Sequence, residues 1–174
     1  MNVRKKKLRK SKGLYNFVSL FMMLTSLDMG IKEYIEEHYT KKTEKETVIP
    51  KVVLRKVHNK GFCLDTLDKY PFLVSGVSAV LSGGIGIKAY QLFQKRGRWM
   101  EKFGITVLGA GAFSNTFDRI IRGYVVDYFG VKTNNSKLSK ISANLADVYI
   151  LIGSAVLLAV NAKTEESNGN TDKK

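Results

Sequence analysis

The residues best suited to chemistry lie in one stretch, Asn115-Thr116-Phe117-Asp118-Arg119-Ile120-Ile121-Arg122-Gly123-Tyr124-Val125-Val126-Asp127, with a further acid at Asp147. The stretch begins at the end of an apolar, Gly/Ala-rich run, and Asp147 sits inside the next apolar run. A carboxylate at bilayer depth costs roughly 2.5–3.5 kcal/mol on insertion scales, so acids kept there serve either function or polar packing between helices. Other chemistries are poorly served. His38 and His58 are the only histidines, the cysteine is unpaired, and no His-Glu-x-x-His pattern occurs, so no metal ligand set is visible. Gly83-Gly84-Ile85-Gly86 reads as a packing surface, since no Gly-Lys-Ser/Thr phosphate loop is present. No Ser/His/Asp set can be assembled at membrane depth. What remains is a carboxylate pair. Two carboxylates sharing a site do not both ionise easily; one keeps a proton as acid while the other, as base, activates water. Such a pair hydrolyses a peptide bond without metal, cofactor or covalent nucleophile.

The elements that must position these acids are legible in the charge pattern. The chain has 174 residues, enough for one domain or a small bundle. Its mean hydropathy of −0.12 resembles that of a soluble protein. The average conceals charges gathered in blocks. Gly13–Leu27, Tyr70–Ile87, Phe103–Phe117 and Val148–Ala162 are uncharged, each of about 15–18 residues and extended by its flanks towards the ~20 of a spanning helix. They lack the polar stripe of a soluble amphipathic helix. The expected fold is an all-α membrane protein with four transmembrane helices, at about 13–31, 70–87, 103–121 and 141–162, and a small β-rich extracellular segment. These make one domain over residues 13–162, between a basic tail (1–12) and a polar tail (163–174).

The net charge is +14 and the pI near 9.8. Spread over one face, that charge would suggest nucleic acid. Here it flanks apolar runs. Arg4, Lys5, Lys6, Lys7, Arg9, Lys10 and Lys12 precede the first, and Lys88, Lys95, Arg96, Arg98 and Lys102 lie between the second and third. With four spans these regions share a side, and the positive-inside rule makes it the cytoplasm, with both termini. Nucleic acid is therefore not an expected partner; membrane lipid is, and residues 1–12 lie near its headgroups chiefly as a topology signal. Asp28, Lys32 and Glu33 follow the first apolar run where a cleavable leader would carry small residues, so that run is an uncleaved span. Cys63 alone forms no internal disulfide.

This topology puts Asp28, Asn115, Asp118, Arg119, Asp127, Asn144 and Asp147 towards the outer face. Unrelated packing polars would scatter in depth, so the clustering favours a site. Asp28 and Lys32 stand four apart on one helix face, while Asn115 with Asp118 and Asn144 with Asp147 stand three apart. The first helix continues through Glu33 to Tyr39. Thr47 to Val57 is β-branched with partial alternation, a strand or hairpin with Pro50 at an edge or strand start. His58-Asn59-Lys60-Gly61-Phe62 is a turn with His58 solvated. Pro71 fits a first helical turn. Tyr124 to Phe129 is apolar enough to lie on or dip into the membrane, and Asn134-Asn135-Ser136 is an exposed turn.

These motifs, in this order, resemble signal peptidase II, the lipoprotein signal peptidase, a four-span membrane aspartyl protease. The resemblance covers roughly Asp28 to Gly153. Asn115-x-x-Asp118-Arg119 followed by Gly123-Tyr124-Val125-Val126-Asp127 is similar to the family's most specific block. Asn144-Leu145-Ala146-Asp147 followed by Gly153 resembles its Asn-x-Ala-Asp block, and Asp28-x-x-x-Lys32 and Asn59-x-Gly61 resemble two weaker ones. The resemblance, not the spacing, selects Asp127 and Asp147 as the catalytic dyad. It implies that Asn59, Asn115, Arg119 and Asn144 hold the dyad and the substrate backbone, that Asp118 pairs with Arg119, and that Asp28 pairs with Lys32. It implies a diacylglyceryl-modified prolipoprotein as substrate, cut before its lipidated cysteine, no cofactor, a bacterial cell membrane location, and an outer β-rich cradle over the site. A monomer is the default. The chain departs from the family at Phe62 and Cys63, where Ala-Ala-Phe is usual, and at Ala143, where Phe is usual; these positions bear on substrate choice.

Two other readings compete. Asp118-Arg119-x-x-x-Gly123-x-x-x-Asp127 partly mimics the motif of CDP-alcohol phosphatidyltransferases. It lacks their leading Asp-Gly and has Val131 where a further acid belongs, and its acids face away from cytoplasmic nucleotide. A non-catalytic membrane homologue would use the same acids as interhelical glue.

Overall fold

A computed structural model of the chain describes residues 2–61, 69–135 and 138–171. Phe62 and Cys63 lie outside them. Four helices dominate: α1 (Asn2–His38), α2 (Pro71–Gln94), α3 (Trp99–Ile121) and α4 (Leu145–Thr171). A small antiparallel sheet is formed by β1 (Glu44–Glu46), β2 (Val52–Asn59), β3 (Val125–Val131) and β4 (Ser142–Ala143), in that spatial order. Among the described residues, three helical segments are long and apolar enough to cross a membrane: Gly13–His38, Pro71–Gln94 and Leu145–Thr164.

The helices extend beyond the apolar runs. α1 takes in the basic segment because Lys, Arg and Leu are good helix formers, and α4 runs on through polar residues to Thr171. Pro71 opens α2, where its missing N–H costs nothing. The basic connection between the second and third apolar runs narrows to residues 95–98, because α2 ends at Gln94 and α3 starts at Trp99.

α3 is the hub: α1, α2 and α4 all pack against it. Its buried residues include Asn115 and Asp118, which meet Lys32 of α1 and, for Asn115, Asp147 of α4. Its closest neighbour is α4, and glycine permits the approach. A Cβ on Gly153 would stand 2.6 Å from the Gly104 carbonyl oxygen and 2.7 Å from the Leu108 Cβ. One on Gly111 would stand 3.1 Å from the Ala146 carbonyl carbon. Close backbone contact of this kind replaces the hydrophobic drive that lipid cannot supply. It also brings Asn115 on α3 up to Asp147 on α4.

The sheet caps the end of the bundle where α1 finishes. β1 and β2 form a hairpin whose turn holds Pro50 and, at positive φ (67°), Lys51. β3 corrects one sequence expectation. Tyr124 to Phe129 does not lie out on a membrane surface; Val125–Val131 is an inner strand between β2 and β4, with Val125, Val126, Asp127 and Tyr128 buried. Alternation explains the apolar composition: Val126 and Tyr128 join a core with Ile35 of α1 and Tyr39 just beyond it, which places Asp127 on the opposite face. His58 is also not solvated. It lies half-buried at the last position but one of β2, stacked on Tyr124 (ring centroids 4.1 Å apart) with Nε2 3.0 Å from Glu36 of α1. The Tyr124 hydroxyl donates to the same carboxylate at 2.8 Å, so the trio fastens the sheet to α1.

Candidate active site

Asp28, Lys32, Asn59, Asn115, Asp118, Arg119, Asp127, Asn144 and Asp147 come together at this one end of the bundle. Asp127 arrives on β3 and is 2 % exposed. Its Oδ1 accepts from Asn144 Nδ2 at 2.8 Å; its Oδ2 accepts from Asn59 Nδ2 at 3.1 Å and from Ser142 Oγ at 2.8 Å. Burial, and next the negative charge of Asp147, push the Asp127 carboxyl above the usual carboxylate range, while its three hydrogen-bond donors pull it down.

Asp147 is half-buried in the first turn of α4. Its Oδ1 accepts from Asn115 Nδ2 at 2.8 Å, and its Oδ2 from the Asn144 backbone N–H at 3.0 Å. The Asp147 N–H donates back to Asn144 Oδ1 at 3.0 Å. This reciprocal pair is a capping box in which Asn144 is the cap and Asp147 the third helical residue. Asn144 was expected inside a helix starting near Ile141. It precedes α4 instead, because Ser142–Ala143 joins the sheet against Phe129 and Gly130. That placement lets one side chain cap the helix through its oxygen and reach Asp127 through its nitrogen. Asn144 thus touches both aspartates.

Behind the pair lies a buried ionic hub. Lys32 Nζ stands 2.8 Å from Asp28, 3.1 Å from Asp118, 2.8 Å from Asn115 Oδ1 and 3.2 Å from Ser114 Oγ. Asp28 also accepts from Ser114 Oγ (2.6 Å), the Tyr128 hydroxyl (2.9 Å) and the Ala146 N–H (3.2 Å). The expected Asp28–Lys32 pair is therefore present at its i, i+4 spacing. The expected Asp118–Arg119 pair is not how Asp118 is satisfied. Its carboxylate meets Lys32, Arg122 Nε at 3.2 Å, and the Val126 N–H at 3.3 Å. Adjacent residues point about 100° apart on a helix, whereas Arg122 is four on and shares the face of Asp118. Arg119 donates from Nη2 to the Gly61 carbonyl at 3.0 Å and lies in the field of both Asp127 and Asp147. Asn59 Oδ1 accepts from the Gly61 N–H at 3.1 Å, which fixes the amide that faces Asp127.

Ser142, Ser114 and Tyr128 escaped the sequence reading. Only Ser142 left a signal, standing two before Asn144, the period that aligns side chains in extended chain. Ser114 and Tyr128 meet Asp28 across 86 and 100 residues of sequence, which no local pattern encodes.

The fold and these acids define a class: helical membrane proteins with two carboxyl groups, Asp127 and Asp147, bridged by one asparagine at the end of the bundle. The family described as Signal peptidase (SPase) II matches residues 20–162, and the chain belongs to it. Among curated relatives, a lipoprotein signal peptidase of Lactiplantibacillus plantarum is 27 % identical over 148 residues, 83 % of this chain and 93 % of that one. Another, from Streptococcus pneumoniae, is 28 % identical over 87 % of this chain and 94 % of that one. Two solved bacterial membrane enzymes share the fold, with TM-scores of 0.73 and 0.66 at 21 % and 20 % identity; they cover 87 % and 83 % of this chain and 90 % and 91 % of their own. The protein is an aspartic-type signal peptidase of the bacterial cell membrane, which it crosses more than once.

Proposed function

We propose that Asp127 and Asp147 are the catalytic dyad, and that the enzyme removes the signal peptide from diacylglyceryl-modified prolipoproteins by cutting before the lipidated cysteine. The observation that carries the assignment is the doubly engaged Asn144, hydrogen-bonded to one aspartate through its side chain and to the other through its backbone. The pair shares one proton and titrates as a unit. The ionised member takes a proton from water as the water attacks the scissile carbonyl. The protonated member gives its proton to the carbonyl oxygen. As the tetrahedral intermediate collapses, the proton taken from water passes to the leaving amine, and the member that gave its proton recovers one from the diol hydroxyl. Asn59, Asn115 and Asn144 hold the carboxylates, and Arg119 supplies positive charge beside them and orients the substrate backbone. Asp118 and the Asp28–Lys32 pair support them from behind.

All four helices cross the membrane in this reading. At 23 residues α3 is roughly 35 Å long, enough for a ~30 Å hydrocarbon core, and its polar residues are shielded by α1, α2 and α4. Both termini are cytoplasmic, the site opens near the outer face, and the sheet is an extracellular cradle of a single domain over residues 13–162. The tails at 1–12 and 163–174 flank it, and a monomer suffices. An apolar groove lined by Phe17, Phe21, Ile85, Phe93, Ile105 and Phe113 runs between α1, α2 and α3 and suits the apolar core of a signal peptide. Reporter tags at either terminus should read cytoplasmic, and a tag near Asn134 external; an external N-terminus overturns this orientation. In reconstituted membranes, a diacylglyceryl precursor should be cut at least about tenfold faster than the same precursor without lipid, as befits a ligand whose lipid supplies binding energy. Equal rates would remove the lipid from the specificity.

A further inference from the structure

Three features outside the recognised motifs converge on Asp127. β2 carries a bulge between Leu54 and Val57, where its register against β3 shifts. Arg55 lies in that bulge, and a bulge re-aims the side chain it displaces. The Arg55 guanidinium crosses β3 at Gly130, the one position there without a side chain. A Cβ on Gly130 would stand 2.8 Å from Arg55 Cζ and 2.9 Å from its Cδ. Beyond Gly130, Arg55 Nη2 donates to the carbonyls of Ser139 at 2.7 Å and Ile141 at 2.9 Å. These carbonyls lie three residues and one residue before Ser142, whose hydroxyl donates to Asp127 Oδ2 at 2.8 Å.

We infer that Ser142 is a positioning residue for Asp127, delivered by an Arg55 clamp that passes over Gly130. The inference rests on the dyad reading. The clamp acts through two backbone carbonyls, so it fixes the path of the chain whatever Ser142 itself does. The hydroxyl then fixes the rotation of the Asp127 carboxyl, sharing Oδ2 with Asn59 while Asn144 holds Oδ1. With both oxygens held, the carboxyl cannot swing away from Asp147. The charged groups around Asp127 are Asp147 from α4 and Arg119 from α3.

The test compares purified full-length wild type, Ser142→Ala, Ser142→Thr, Gly130→Ala and Asp127→Asn in the same detergent, on one lipidated precursor. Ser142→Ala should lower kcat about tenfold, the scale of a lost hydrogen bond to a charged group, with KM within about twofold. Losing a donor to the carboxylate favours its protonated form, so the alkaline limb of the pH–rate profile should move to higher pH. Ser142→Thr keeps the hydroxyl and should restore both rate and profile. Gly130→Ala, which displaces Arg55 without touching Asp127, should reproduce the loss in kcat. A Ser142→Ala enzyme whose rate and pH profile overlay the wild type, alongside an inactive Asp127→Asn, overturns the inference and leaves the dyad intact. An active Asp127→Asn would instead bring down the dyad. If Ser142→Ala proves unstable, the Gly130→Ala result decides: unchanged kcat rejects the clamp.

Discussion

Asp127→Asn and Asp147→Asn are each expected to abolish processing of a lipidated precursor, with rates down by at least ~10²–10⁴, the range for loss of a positioned general acid or base. An amide of the same shape cannot hold or accept the shared proton. The two substitutions differ in a second respect. Asp127 receives donors at both oxygens, so the NH₂ of an asparagine must face at least one of Asn144, Asn59 or Ser142. That donor-to-donor conflict costs about 1–3 kcal/mol on top of the chemistry. Asp147 also receives a donor at each oxygen, from Asn115 and the Asn144 backbone. Some loss of stability should therefore accompany either change, and thermal unfolding of each variant separates it from the catalytic loss. Because the acids act as one unit, the double variant should be no slower than the worse single one. The measurement is precursor processing in a strain where this is the sole enzyme of its kind. Normal processing by both single variants would sink the dyad assignment.

Lys32→Ala carries the second large effect, on the fold. Lys32 is fully buried, and so is Asp28; Asp118 is 1 % exposed. The ammonium is the common partner of both carboxylates, at 2.8 and 3.1 Å. Removing one member of a buried ionic set leaves uncompensated charge and costs about 3–5 kcal/mol. Arg122 still neutralises Asp118 at 3.2 Å, so the damage should concentrate at Asp28. Asp28 binds Tyr128 and the Ala146 N–H, so the fault reaches β3 and the start of α4. Activity should fall as well, because Lys32 fixes Asn115 Oδ1 and thereby aims the Asn115 amide at Asp147. Lys32→Arg should not rescue fully, since a planar fork does not replace a compact ammonium among four ligands. A Lys32→Ala protein with wild-type unfolding temperature and activity in detergent would show that the hub supports neither.

Much of this protein is decided locally. Uncharged runs bounded by charge blocks marked the helices, because the bilayer and the backbone's need for internal hydrogen bonds leave a long apolar run few alternatives. Pro71 marked a helix start, the β-branched run after Thr47 marked a hairpin, and the spacing of Asp28 and Lys32 placed them on one face. Asp28, Lys32, Asn59, Asn115, Asp118, Arg119, Asp127, Asn144 and Asp147, all named from sequence, reach one end of the bundle.

The tertiary structure decided how those residues divide their work. Spacing along one helix states which groups can meet within it, and says nothing of groups brought by other elements. Asp118 therefore took Lys32 and Arg122 in place of its sequence neighbour. Tyr124 to Phe129 looked like a membrane-facing segment because apolar composition alone does not distinguish burial in lipid from burial between β2 and β4. Ser142 stands opposite Gly130 in the β3–β4 pairing with its hydroxyl on Asp127, and Arg55 of the bulged β2 crosses the same glycine; none of these meetings lies within one element. The chain by itself determined its helices and supplied the acids and amides. Only the close packing of α3 on α4, with the sheet folded over their ends, decided that Asn144 would stand between Asp127 and Asp147, because distances between elements are set by packing and not by sequence separation.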